Sequence, residues 1–104
     1  MPRIIITRTA QRDLERLRQS LQKKNPDASR RAAKAVKESI ARISEQPEAH
    51  RPVLDMMFHR EVIIPFGNTG YIARYYFKPG IEDIIVLRVK HQRENEFSDE
   101  DEVS

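Results

Sequence analysis

The sequence predicts an α+β fold: an N-terminal strand, an antiparallel helical hairpin, then a three-stranded antiparallel sheet. Three observations carry this. A short β-branched run, Arg3-Ile4-Ile5-Ile6-Thr7, opens the chain. Apolar residues then recur at helical spacing in two segments separated by Asn25-Pro26-Asp27. Three runs of β-formers close the chain at about 57–64, 71–78 and 83–91, joined by Gly- and Pro-bearing connections.

Each element has a local reason. Thr7 or Thr9 can cap the first helix, because a hydroxyl accepts a bond from an otherwise unpaired first-turn N–H. Ala10, Leu14, Leu17 and Leu21 follow at spacings that mark one inward face, and Arg8, Arg12 and Arg16 mark another, solvated one. Pro26 disfavours helix at Asn25, and Asp27 is the expected N-cap of the second helix. That helix runs to about Glu45 with Ala33, Val36, Ile40 and Ile43 inward and Arg30, Lys34 and Lys37 outward. A break this short makes the two helices an antiparallel hairpin. From Gln46 to Asp55 the chain is polar, carries Pro47 and Pro52, and reads as a loop. Pro65 to Gly70 is a compact connection in which Gly67, Asn68 and Gly70 tolerate positive φ.

Strand alternation sorts the sheet into two faces. Tyr71, Ala73, Tyr75 and Phe77 share one, with Ile85, Leu87, Val89 and His91 on the corresponding side of the last strand. Ile72, Arg74, Tyr76 and Lys78 share the other, with Ile84, Val86, Arg88 and Lys90. A helical hairpin covers only one face of a small sheet. The expected core is therefore Leu14, Leu17, Leu21, Val36, Ile40, Ile43, Leu87 and Val89. The expected open face carries Arg74, Tyr76, Lys78, Arg88 and Lys90, cations around one aromatic, suited to an anionic or macromolecular target.

With 104 residues the chain is expected to be one domain, residues 1–97, followed by an acidic tail at 98–104 that the composition predicts to be disordered. There are no cysteines, which excludes disulfides and thiolate metal sites, and the three histidines lack metal-ligand spacing. No cofactor, metal or small-molecule ligand is implied. No apolar run approaches a membrane span and no signal-peptide pattern is visible, so a cytoplasmic protein is expected. The net charge of +3 hides an asymmetry. Residues 1–93 hold all 19 Lys/Arg against 10 Asp/Glu, or +9, and residues 94–104 hold six acids and no base, or −6. Such a body favours an acidic partner, whether nucleic acid or a protein segment.

Several ordered features resemble one family. They are the charged, Leu-bearing start of the first helix (Ala10-Gln11-Arg12-Asp13-Leu14-Glu15-Arg16-Leu17), Pro47 after the second, and the Arg51-Pro52 step. Arg60-Glu61, Pro65-Phe66-Gly67, Gly70-Tyr71 and the closing Leu87-Arg88-Val89-Lys90-His91-Gln92-Arg93-Glu94 complete the set. Over residues 3–94 the chain resembles the RelE/ParE superfamily of bacterial toxins. The resemblance implies the toxin of a type II toxin–antitoxin pair, of the plasmid-stabilisation type, held inactive by a cognate acidic antitoxin.

The superfamily divides between ribosome-dependent mRNA cleavage, as in RelE-like members, and poisoning of DNA gyrase, as in ParE-like members. RNA cleavage needs a base, an acid and cations for the charged transition state. RelE-like members commonly place an Arg after the Gly-Tyr pair and a Tyr late in the chain. Here those positions resemble Ile72 and Phe97, neither of which transfers a proton. His91, with Arg88 and Arg93, is the substitute set that a nuclease would use. The His-x-Arg ending resembles the ParE branch more closely, which implies a growth inhibitor that binds gyrase and is not an enzyme. The alternatives are the ribosome-dependent endoribonuclease and a non-toxic basic nucleic-acid-binding module. A structural role for His91, as a strand-end histidine bonded locally, is as good an expectation as a functional one.

Overall fold

A computed structural model describes residues 2–94. The elements are β1 (Arg3–Ile6), α1 (Arg8–Lys24), α2 (Pro26–Ile43), β2 (Arg51–Pro52), β3 (His59–Phe66), β4 (Thr69–Tyr76) and β5 (Asp83–His91). They form the expected α+β arrangement, with the sheet grown to five strands in the order β1-β5-β4-β3-β2. β1 lies parallel to β5 at one edge and the other pairs are antiparallel. The extra strand, β2, is a two-residue pairing inside the segment expected to be loop. Its Pro52 is tolerable there because edge strands can spare a donor.

Asn25 joins the two helices. Its backbone N–H donates to Leu21 O (2.8 Å), closing α1, and its side-chain Oδ1 accepts from Ala28 N (3.1 Å), opening α2. Pro26 takes the first helical turn, where its missing N–H costs nothing. The cap is thus Asn25 and not Asp27, which instead sits in the first turn and pairs with Arg30 and Arg31. Thr7 caps α1 through Ala10 N (3.1 Å).

The β3–β4 hairpin is tighter than expected. Pairing continues to Phe66↔Thr69 and leaves Gly67-Asn68 as a two-residue turn, with Gly67 at φ +62°. That sign suits the right-handed twist of the flanking strands. Gly70, paired with Pro65, is required for a different reason. A Cβ there would lie 2.1 Å from Ile64 O, so the two backbones pass too closely for any side chain.

The core lies between the sheet and the helices, around Val36, Ile40, Ile43, Ile64, Tyr75 and Val86. Tyr71, Ala73 and Tyr75 are buried as the alternation predicts. In β5 the expectation fails over its first half. Ile84 and Val86 are buried, and Ile85 and Leu87 are only partly covered. The register shifts between Arg74, opposite Arg88, and Tyr75, opposite Val86, which leaves Leu87 as an extra residue. One inserted residue reverses which side chains face inward, so Val89 is buried as expected and Ile85 and Leu87 are not. Leu14, Leu17 and Leu21 pack against the core but remain partly exposed. In α2 the inward positions include Ser29 and Ala32, and Ala33 is exposed.

Candidate functional site

The bulge is where α1 meets the last strand. The Asp13 carboxylate, fully buried, accepts from Val89 N (2.9 Å) and from the Arg88 guanidinium (Nε 2.9 Å, Nη2 3.3 Å). β1 ends at Ile6, opposite Val86, so Val89 N lies beyond its reach and a side chain must satisfy it. Arg16 extends the network, 3.7 Å from Asp13 and 3.0 Å from the Glu94 carboxylate. Thr7 Oγ1 donates to Leu87 O (3.2 Å), fixing the extra residue from the same side.

Arg88 is expected from alternation to lie on the open face as a target-binding cation. The structure instead commits its guanidinium to Asp13 and leaves it only 12% exposed. Arg74, directly opposite, is bidentate to Glu61 Oε2 (Nε 3.1 Å, Nη2 2.8 Å), and Arg51 Nη2 holds Glu61 Oε1 at 3.0 Å. Two like charges that face each other across the strands are therefore each neutralised by an acid. Glu61 does not pair with its neighbour Arg60. Adjacent strand residues point to opposite faces, and Arg60 turns inward to His50 O (2.6 Å).

The remaining open-face residues stay on the outer surface. Tyr76 is partly exposed and meets the rings of Phe58 (6.1 Å) and His59 (5.4 Å) edge-on. Lys78 Nζ lies 5.6 Å from the Phe58 ring centroid. Lys90 Nζ donates to Glu94 O (2.9 Å). Exposed Ile63 and partly exposed Ile72, opposite each other, add apolar area beside Lys90. The outer surface is thus mixed, with its arginines paired, and not the bare cationic sheet that alternation suggests.

The nuclease set is not brought together on one point. His91 Nδ1 accepts from Arg93 N (3.1 Å), which leaves the Nε2 hydrogen to donate to Thr69 Oγ1 (3.0 Å). Its ring also stands edge-on to Tyr71 at 5.5 Å. Both nitrogens are occupied locally, Arg88 is held by Asp13, and Arg93 is exposed in the turn after β5. Phe97 and the tail from Ser98 lie outside the described residues.

Two further surfaces stand out. Leu54, Met56, Met57 and Phe58 are exposed in the loop before β3, where Asp55 and Phe58 hold φ near +62° and +64°. The clustered apolar residues at 54–58 are the available signal. The second is an apolar groove of about 450 Å³ between α1 and α2, with Leu14, Leu17, Leu21, Val36 and Ile40 on its walls and Tyr71 on its floor. Its signal is the leucine face of α1, which has three large side chains and too little sheet beneath them.

Behind β3 and β4 a polar cluster anchors the 44–52 connection. Tyr75 Oη donates to Pro47 O (2.6 Å), and burial pushes its phenol up to about 12. His50 stands edge-on to Tyr75 at 6.0 Å; burial, and then the Arg60 charge, lower its pKa. Each of these groups has a structural partner. Neither helix is long and apolar enough to cross a membrane.

Residues 4–96 match the family described as "ParE toxin of type II toxin-antitoxin system, parDE". The chain belongs to the ParE toxin family. It is thus a toxin of a type II toxin–antitoxin system. A curated relative of this ParE-family toxin is Toxin RelE3 of Caulobacter vibrioides, 28% identical over 85 residues, which span 82% of this chain and 88% of the relative. Among solved structures, a chain described as "Chromosomal ParDE TA system from P. aeruginosa" superposes with a TM-score of 0.70 at 19% identity. That match covers 88% of this chain and 96% of the other, and it shows the shared fold.

Proposed function

We propose that this ParE-family toxin stops growth by binding DNA gyrase through the outer face of its sheet, without catalysing proton transfer. The observation that carries this is His91. Its two ring nitrogens are taken by Arg93 N and Thr69 Oγ1, and Arg88, which would have to help it, is turned to Asp13. A ribonuclease needs an acid, a base and a cation converging on one phosphate, and these three residues diverge. Binding needs no such convergence. Tyr76, Lys78, Lys90 and Arg74, with exposed Ile63 and the 54–58 loop, offer a mixed apolar and cationic contact area.

The partner that holds the toxin inactive is a cognate antitoxin with an acidic, apolar-faced segment. The groove between α1 and α2 supplies the apolar contact, and the +9 body steers an acidic chain toward it. The family and the neighbour from a ParDE system support a cognate antitoxin as partner. One point favours the ribosome-dependent nuclease, namely that the Caulobacter relative carries a RelE name. Induction in cells separates the two. Gyrase poisoning gives a DNA-damage response with intact transcripts, and cleavage of mRNA ahead of any DNA damage would contradict the proposal.

A further inference from the structure

The loop before β3 carries two of the chain's three methionines side by side, Met56 and Met57, in a protein without cysteine. Its backbone is tied down. Met56 N donates to Val53 O (3.2 Å), His59 N to Met56 O (3.1 Å) and Phe77 N to Phe58 O (2.9 Å). The side chains are left outside, and Phe58 holds a left-handed φ of +64°, a strained conformation for a bulky residue. The two thioethers differ in their surroundings. Met57 is 76% exposed and Met56 38%. Arg74 Nη1 donates to the Met56 sulfur at 3.6 Å, while Nε and Nη2 of the same guanidinium hold Glu61. An N–H aimed at a sulfur lone pair, with a cation behind it, makes that pair a poorer nucleophile, because attack builds positive charge on sulfur. Accessibility alone favours reaction at Met57 about twofold, and Arg74 adds to that preference.

We infer that this loop is a peroxide-sensitive site: Met57 is oxidised first, and Met56, guarded by Arg74, second, with the second event reshaping the surface. In each step a sulfur lone pair attacks one peroxide oxygen, and an S–O bond forms as the O–O bond breaks. The leaving hydroxide takes the proton from the transferred oxygen and departs as water. Sulfur loses two electrons and the peroxide gains them, so an apolar thioether becomes a polar sulfoxide. At Met56 the new oxygen enters the 3.6 Å gap and is a far better acceptor than sulfur, so the loop and the Arg74 guanidinium shift against each other.

The test treats the full-length toxin with hydrogen peroxide and follows each methionine by peptide mapping and mass spectrometry. Met57 sulfoxide should form at least five times faster than Met56 sulfoxide, and Arg74→Leu, checked for folding by circular dichroism, should bring the ratio down to about two. In NMR spectra the Arg74 Nε–H and the Phe58 and Tyr76 rings should move on oxidation of the wild type and stay in place in oxidised Met56→Leu. Methionine sulfoxide reductase should restore the original spectrum. Equal rates in the wild type, a ratio untouched by Arg74→Leu, or the same shifts in Met56→Leu would overturn the inference. The consequence for function rests on the target proposal, since the loop belongs to that contact area. Toxin oxidised alone and freed of peroxide should inhibit gyrase several-fold less, and undiminished inhibition would overturn the link to target binding. The mass and NMR readouts need no gyrase, so the site and the target proposal can fail separately.

Discussion

The Asp13 carboxylate closes the sheet where β1 runs out, taking the Val89 N–H and the Arg88 guanidinium on the same oxygen, each at 2.9 Å. One buried acid thereby satisfies an orphan backbone donor and neutralises a cation next to a bulge. The geometry also commits Arg88 to Asp13 and takes its charge away from the outer face of the sheet.

Replacing Asp13 should therefore be among the most damaging single changes. Asp13→Ala leaves an N–H without an acceptor and a mostly buried guanidinium without its anion. Loss of one partner of a buried pair costs roughly 3–5 kcal/mol. Asp13→Asn keeps an acceptor oxygen and should cost less. Denaturant unfolding monitored by circular dichroism checks both, and equal stability of Asp13→Ala and wild type would refute the role given to this residue.

The partial exposure of the α1 leucines leads to a contrast. Ile64 is fully buried, so Ile64→Ala should cost about 2–5 kcal/mol through lost transfer energy and the cavity left behind. Leu17 lines an open groove, and Leu17→Ala should cost less than about 2 kcal/mol because no closed cavity forms. Thermal melts of the two variants side by side settle the order. A larger loss from Leu17→Ala would place that side chain in the core after all.

Acid and base should each weaken the fold through the 44–52 anchor. The Tyr75 phenol titrates near 10 when unfolded and is pushed up to about 12 by burial. Between those values the unfolded chain loses a proton that the folded chain retains, so stability present below pH 10 is lost as pH rises toward 12. His50 behaves oppositely, since burial lowers its pKa from 6.5. Below pH 6.5 the unfolded chain binds a proton that the folded chain resists, and stability falls with pH. Melting temperatures across pH 5–11 should show both losses. Tyr75→Phe should flatten the alkaline one and His50→Gln the acidic one.

Much of the fold is legible in the sequence because local signals agree with tertiary packing. Pro26 breaks the helices where expected, and Tyr71, Ala73 and Tyr75 alternate inward as a half-buried strand should. The β5 parity is not legible. The bulge at Leu87 is held by Thr7 and Asp13, which lie more than 70 positions away and leave no periodic trace. The candidate site is hidden for the same reason. Arg74, Arg88 and Lys90 stand out as cations in the sequence, but their acceptors (Glu61, Asp13 and the Glu94 carbonyl) come from other elements or from the turn after the strand. The position of His91 suits a structural and a functional role equally, and only its contacts with Thr69 and Arg93 favour the structural one.

The most direct measurement is inhibition of purified gyrase supercoiling by the wild-type toxin, His91→Ala, and the charge reversals Lys78→Glu and Lys90→Glu. Each variant is first checked for folding by circular dichroism. Wild type and His91→Ala should inhibit within a few-fold of each other, and the two lysine reversals should weaken inhibition by tenfold or more. No effect of the wild type on gyrase, together with ribosome-dependent mRNA cleavage that His91→Ala abolishes, would contradict the gyrase proposal at its centre.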